Sequence, residues 1–357
     1  MRLVTTAAGL MLAACSAEPG VAASPARTDP AQPQAAAAAA SDMPSERRGF
    51  RDWMALCDNG NACFAFAAAT DGVGWISIAQ PPGPDAGPEV AVGYWPPEGE
   101  AGPFTLNIDG RVYALTPVTD LIGEVSAEQT AEVVRALVDG QAAQVGSAGD
   151  VPLSGASAAL LWIDERQGRL DTVTALRRRG PKPASAVPAP PPLPVVTPAP
   201  AVSQAGFGDK DQVLPATLEA LPAVIACRAD TSHSEWVQKE VMSARLDAST
   251  ELWAVPCFMG AYNMGHEWFI TGPGGRDPRP ARLTSTSDEP TATTINAGYA
   301  PEARTITAFA KARGIGDCGT ASTWTWTGRE FTLTSELEMP ECWGVPVDYW
   351  PTTWRTR

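Results

Sequence analysis

Seven cysteines in 357 residues constrain this chain more than any other feature. Cys15 ends an N-terminal apolar run, Cys57 and Cys63 are close neighbours, and Cys227, Cys257, Cys318 and Cys342 occupy the second half. With Cys15 set aside for other chemistry, an even number remains, as expected of a disulfide framework in an oxidising compartment. If the two halves fold separately, Cys57–Cys63 is forced and three pairings stay open among the other four. Nearness in sequence favours Cys227–Cys257 and Cys318–Cys342, each worth ~3–4 kcal/mol by loop-closure entropy. Metal is the competing use. CDNGNAC (57–63) places five residues between its cysteines, where zinc sites use two to four. Asn59-Gly60 reads as a hairpin turn. Asp58, Asn59 and Asn61 lack the twelve-residue loop and closing glutamate of a calcium site. No metal ligand and no cofactor is assigned.

Arg2 precedes an uncharged stretch, Leu3 to Leu12. That length suits a secretory signal and falls short of the ~20 residues a membrane-spanning helix needs. Leu12-Ala13-Ala14-Cys15 resembles the lipobox of bacterial lipoproteins, in which the cysteine is acylated and becomes the new N-terminus. The resemblance implies a signal peptide over 1–14 and a lipidated (palmitate-type) Cys15 followed by Ser16. It also implies a chain held to the bacterial cell envelope, facing the periplasm, with the outer membrane the expected location. Ser16 leaves inner versus outer membrane open. Several acyl chains on one cysteine exceed the two anchoring signals that stable attachment requires.

Composition divides the rest. Residues 15–44 are Ala/Pro-rich with almost no large apolar side chains, and read as a disordered, lipid-anchored tether. PKPASAVPAPPPLPVVTPAP, within a proline-rich linker spanning 181–205, favours extended polyproline II and reads as a spacer between two bodies. Between these tracts, 45–180 holds short β-type runs such as FRDWMALC, CFAFAAA, VGWISIAQ and VAVGYWP, broken by Gly, Pro, Asp and Asn. Two helices interrupt them. One opens on the capping box Ser126 to Gln129, places Val133, Val134, Leu137 and Val138 on one face, and stops at Gly140. The other runs from Ser154 to Gly168 with Ala158, Leu161, Trp162 and Glu165 inward, and Asp164, Glu165 and Arg166 as a solvated end. Residues 206–357 begin with an amphipathic segment carrying Leu214, Leu218 and Leu221, then continue in strand-like runs (ELWAVPCF, EWFITG, STWTWTG, EFTLTSEL). The expectation is mainly β with a few helices (α+β): two β-rich domains joined by a proline-rich linker.

DWMALCDNGNAC, with LNIDG and VPLSGASAAL, resembles the invasion-associated locus B proteins, exported proteins of the bacterial envelope. A more complete resemblance is to an uncharacterised bacterial envelope family some 340 residues long. It is carried by DWMALCDNGNAC, LSGASAALLWIDERQGRLDTVTAL, ELWAVPCFMGAYN and GDCGTASTWTWTGREFTL. It covers nearly everything from about 48 to 357 apart from the proline tract. It implies a mostly β, two-part fold in the envelope, and no known activity or catalytic residue.

The residues themselves offer little chemistry. His233 and His266 are the only histidines. His266-Glu267 lacks the second histidine of the metalloprotease motif, and His233 between Ser232 and Ser234 is not a triad. Both read as polar loop residues. Gly272 to Gly275 is a turn without a phosphate-binding lysine. Trp324 and Trp326 share a strand face, either as a glycan or peptide platform or as part of an aromatic core. The net charge of −14, about −8 in 45–180 and −6 in 206–357, repels nucleic acid and attracts a basic protein or cell-wall partner. The expected function is a non-catalytic binding or scaffolding role, with the membrane engaged through the N-terminal lipid. The alternative is an inhibitor of a cationic peptidoglycan-cleaving hydrolase acting through a loop at 260–268 that carries Tyr262, Asn263, His266 and Trp268; the two glycines and Asn263 fit equally a tight hairpin whose aromatics join the core. A third is an envelope enzyme using a carboxylate pair.

Overall fold

The computed structural model describes residues 43–96 and 103–357; Cys15, the signal segment and most of the tether lie outside them. The fold is mainly β with a few helices, as the sequence predicts. Five strands follow one another in antiparallel hairpins: β1 (Glu46–Phe50), β2 (Trp53–Cys57), β3 (Cys63–Ala68), β4 (Gly74–Gln80) and β5 (Glu89–Tyr94). After β6 (Leu106–Ile108) and β7 (Arg111–Tyr113), strands β8 (Thr116–Thr119) and β9 (Ile122–Glu124) extend that sheet to the order β1-β2-β3-β4-β5-β9-β8. Helix α1 (Ala127–Asp139) starts at Ser126 and ends at Gly140, where the sequence places it, although the Ser126 side chain does not cap it. A small sheet of β6, β7, β10 (Ala142–Val145) and β11 (Val151–Pro152), together with α1 and α2 (Ala156–Arg166), covers one face of the large sheet.

The large sheet is apolar on both faces. Trp53, Ala55 and Cys57 of β2 point into the core formed with the helices, while Met54 points the other way with Phe66 and Trp75. Successive residues of a strand face opposite sides, so the unbroken run WMALC is what a sheet covered twice requires. The second cover is the C-terminal half. Met339, Val345 and Trp350 complete a core with Met54, Phe66, Trp75, Ala91 and Ile122.

That half is a sandwich. Its first sheet is β12 (Met242–Arg245), β13 (Glu251–Met259), β14 (Met264–Gly272) and β15 (Arg276–Pro280), with β16 (Thr293–Ile295) beside β14. The second runs in order through β17 (Gly298–Ala300), β18 (Thr305–Lys311), β19 (Gly319–Trp326), β20 (Phe331–Met339) and β21 (Thr352–Arg355). Trp268, Trp324, Trp326 and Phe331 fill the space between them, which decides the pair of indoles in favour of core. The amphipathic segment at 213–227 forms two short helices, α3 (Ala216–Glu219) and α4 (Pro222–Asp230), because Pro222 starts a new helix at its first position. With α5 (Glu235–Gln238) they lie on the outer face of β13, burying Leu218, Val224 and Val237.

Three expectations are corrected. The proline tract is extended, as its composition dictates, but it does not hold two bodies apart. Pro188 and Pro190 lie against Gly168 and Gly83, the Arg357 amide donates to the Pro194 carbonyl at 2.8 Å, and the Ala199 amide to that of Trp326 at 2.8 Å. The tract is a strap over both halves. In α2 the buried side chains are Ala156, Ala159, Leu160, Trp162, Ile163 and Asp164, leaving Ala158, Leu161 and Glu165 outside. Asp164 is no solvated helix end. Fully buried, it accepts hydrogen bonds from the amides of Leu176, Arg177 and Arg178 at 2.7–3.0 Å and so folds the following loop back on the helix. The glycine of LSGASAAL has a similar structural reason: Gly155 has φ +109, and a Cβ there would lie 1.7 Å from the Phe50 carbonyl oxygen.

Candidate functional site

The six cysteines pair as proximity favours, with Cys57–Cys63, Cys227–Cys257 and Cys318–Cys342 at disulfide distance. Cys57 and Cys63 face each other directly across β2 and β3. In the loop between them Asn61, not Gly60, takes the left-handed conformation. Asp58 Oδ1 accepts from the Gly60 and Ala62 amides, both at 2.8 Å, and its other oxygen lies 2.8 Å from Arg355 Nε. Asn59 exchanges two hydrogen bonds of 2.9 Å with the Arg355 backbone. These polar groups, weighed above as calcium ligands, tie the first disulfide loop to β21. Burial pushes the Asp58 carboxyl up, against the pull of Arg355 and the two amides.

Among the described residues, two clusters bring cysteines to a carboxylate: Cys227 and Cys257 with Glu267, and Cys318 and Cys342 with Asp317. In each the sulfurs are bonded to one another, so a single carboxylate remains, which is no ligand set. Burial pushes the Glu267 carboxyl up.

The loop at 260–268 divides. Its tip is a tight turn closed by the Gly260 amide on the Asn263 carbonyl at 2.7 Å. Tyr262 is exposed, with its hydroxyl donating to the Ala312 carbonyl, and Asn263 Nδ2 donates to that of Lys311 at 2.8 Å. His266 and Trp268 are not loop residues. They sit on β14, facing inward at alternate positions, 5% and 1% exposed. Trp268 Nε1 donates to Thr294 Oγ1 at 2.6 Å. His266 Nε2 lies 3.2 Å from the Glu240 carbonyl, and its Nδ1 has no partner among the described residues; burial holds its pKa below the usual imidazole value. An inserting loop therefore keeps Tyr262, with Phe258 and Met259 exposed beside it, and loses two of the four expected residues. His233 is exposed, as expected of a polar loop residue.

A cleft that the sequence did not indicate lies where the halves meet. It measures about 450 Å³, within the ~300–1,000 Å³ typical of ligand sites. Its floor is the second face of the large sheet, with Phe64 from β3 and Ser77 and Ala79 from β4. One wall is β5, β9 and the start of α1, contributing Glu89, Glu124 and Thr130. The other is the turn 347–350, contributing Asp348, Tyr349 and Trp350. Trp350 and Tyr349 are fixed by ring contacts to Phe309 and Trp75, each with centroids 5.5 Å apart. Tyr349 donates to Glu124 Oε1 at 3.3 Å; burial first, then the Glu124 and Asp348 charges, push the phenol up and keep it protonated. The cleft is thus anionic and aromatic. A smaller cavity of about 310 Å³ opens at the edge of the C-terminal sandwich, bordered by Phe207, Met242, Trp268 and Tyr299.

A family model described as a protein of unknown function (DUF1176) matches residues 47–357. The uncharacterized protein YpfG of Escherichia coli (strain K12) is 28% identical over 349 residues, covering 87% of this chain and 93% of its own length. No solved structure matches.

Proposed function

The chain belongs to the DUF1176 family of unknown function, and from that premise we propose a non-catalytic binding or scaffolding protein of the bacterial cell envelope, lipid-anchored through Cys15. Its binding site is the cleft between the halves. One observation carries the reading: a ligand-sized cavity whose floor and two walls come from both halves, with its aromatic rings held in place by packing. Three disulfides favour an exported location. Leu12-Ala13-Ala14-Cys15 and the likeness of 45–180 to invasion-associated locus B proteins favour the envelope.

The test is made in the native envelope. A photoreactive residue at Thr119, outside the cleft, and another at Ala127, on its rim, are compared for captured protein. Capture specific to Ala127 is expected, together with palmitate labelling that Cys15→Ser abolishes. A cytoplasmic, unacylated chain with reduced thiols refutes the proposal. Inhibition of a cationic peptidoglycan-cleaving enzyme is a second reading, favoured by the exposed Phe258, Met259 and Tyr262 at one end of the β13–β14 hairpin. Lysozyme clearing of cell walls that is unchanged by excess protein removes it.

A further inference from the structure

Glu89, Glu124 and Asp348 border the cleft from three separate segments, and no ion pair among the described residues involves any of them. None of the residues lining the cavity is basic. The first turn of α1 opens on the same space, and a helix N-terminus by itself favours anions. Here that end is already served: Glu128, in the first turn, has its carboxyl held low by its own backbone and by Ser126. The three rim carboxylates therefore keep their field for whatever enters.

A second observation is independent of charge. Ser77 is 7% exposed, lines the floor, and its hydroxyl has no hydrogen-bond partner among the described residues. It stands on β4 two residues from Trp75, on the face turned to the C-terminal half. Facing the cleft with its hydrogen-bonding capacity unused by the protein, the hydroxyl is free to accept from or donate to whatever enters. The remaining lining is apolar (Ala79, Pro88, Val90 and Val125 among it) and includes the aromatic rings of Phe64, Tyr349 and the largely buried Trp350, a ring type that attracts cations.

Resting on the binding-site assignment above, we propose that the cleft receives a guanidinium or ammonium group. That group sits between Glu124 and Asp348, against the Tyr349 and Trp350 rings, with a donor N–H reaching Ser77 Oγ. A guanidinium fits best, because its planar fork matches carboxylates and stacks on aromatic rings. The net charge of −14 steers cationic ligands toward the protein and makes the association sensitive to salt.

The experiment uses the full-length protein in detergent and isothermal titration with five probes: a short arginine-containing peptide, its citrulline counterpart (the neutral isostere), a lysine counterpart, free arginine and spermidine. Saturable binding of the arginine peptide is expected, weakened at least about tenfold by replacing arginine with citrulline. A Glu124→Gln/Asp348→Asn variant, whose changes are at exposed positions, should lose a similar factor with unchanged circular dichroism and melting temperature. Ser77→Ala should weaken binding a few-fold. Tighter binding of the peptides than of free arginine and spermidine identifies a cationic side chain of a protein partner as the ligand; the reverse identifies a free guanidino compound or polyamine. Equal binding of the citrulline peptide, no effect of the double variant, or no binding of any cationic probe overturns the inference. If a partner is still captured at Ala127, the cleft remains a binding site and only the cationic assignment fails.

Discussion

Met339 tests whether the two halves are one cooperative body. It is completely buried on β20 and packs into the core shared with Met54, Phe66 and Trp75 of the first half. Met339→Ala removes the side chain beyond Cβ from a site walled by a rigid sheet, which cannot collapse into the space. Truncations of this kind cost about 2–5 kcal/mol, and a value near 3 kcal/mol is reasonable for a side chain with no exposed surface. The informative readout is in the other half. Amides of β3 and β4, paired from Cys63↔Gln80 to Ala68↔Trp75, should exchange hydrogen through opening of the whole structure. A loss of about 3 kcal/mol then accelerates their exchange by about 150-fold. Hydrogen-exchange mass spectrometry on the variant measures it peptide by peptide. If β18 and β19 exchange faster while β3 and β4 keep the wild-type rate, the halves open independently and the shared core does not couple them.

Other consequences are simpler to check. His266 is kept neutral by burial, so its contribution to stability is present above about pH 6.5 and is lost as pH falls through its lowered folded value; urea unfolding between pH 7.5 and 5 should show a shallower loss for His266→Asn, and identical slopes would refute the assignment. Gly155→Ala must place a methyl group on the Phe50 carbonyl at positive φ, so it should lower stability by more than about 2 kcal/mol; a wild-type melting temperature would contradict that. Intact mass of the purified protein with and without reductant should show three disulfides, and free thiol at Cys57 or Cys63 would break the pairing scheme.

Much of the β structure was legible because its strands are short and bounded by turn residues. VGWISIAQ, ELWAVPCF and EFTLTSEL become β4, β13 and β20 within a residue or two. The packing of the two halves was lost in one step, reading the proline tract as a spacer. Polyproline composition specifies an extended backbone but not whether that backbone is packed. WMALC carried the contrary signal, since a strand covered on one side alternates with polar residues and this one does not. The cleft was hidden for the same reason: Ser77, Glu124 and Asp348 converge only when the halves pack. Of the two readings of 260–268, the tight hairpin whose aromatics join the core holds for Trp268, while His266, read as a polar loop residue, turns inward because the turn spans only 260–263. Strand period from Met264 puts both residues on the inward face. Asp164 gave no warning, because the amides that bury it lie twelve to fourteen residues further on.

The shared core also orders events during biogenesis. Met54, Phe66, Trp75 and Ala91 form an apolar surface that stays uncovered until residues 339–350 have been delivered. A chain still being synthesised therefore presents a sticky sheet while its first disulfide loop waits for Arg355. Nascent molecules stalled or clipped before that point are the ones expected to aggregate and to need chaperone escort.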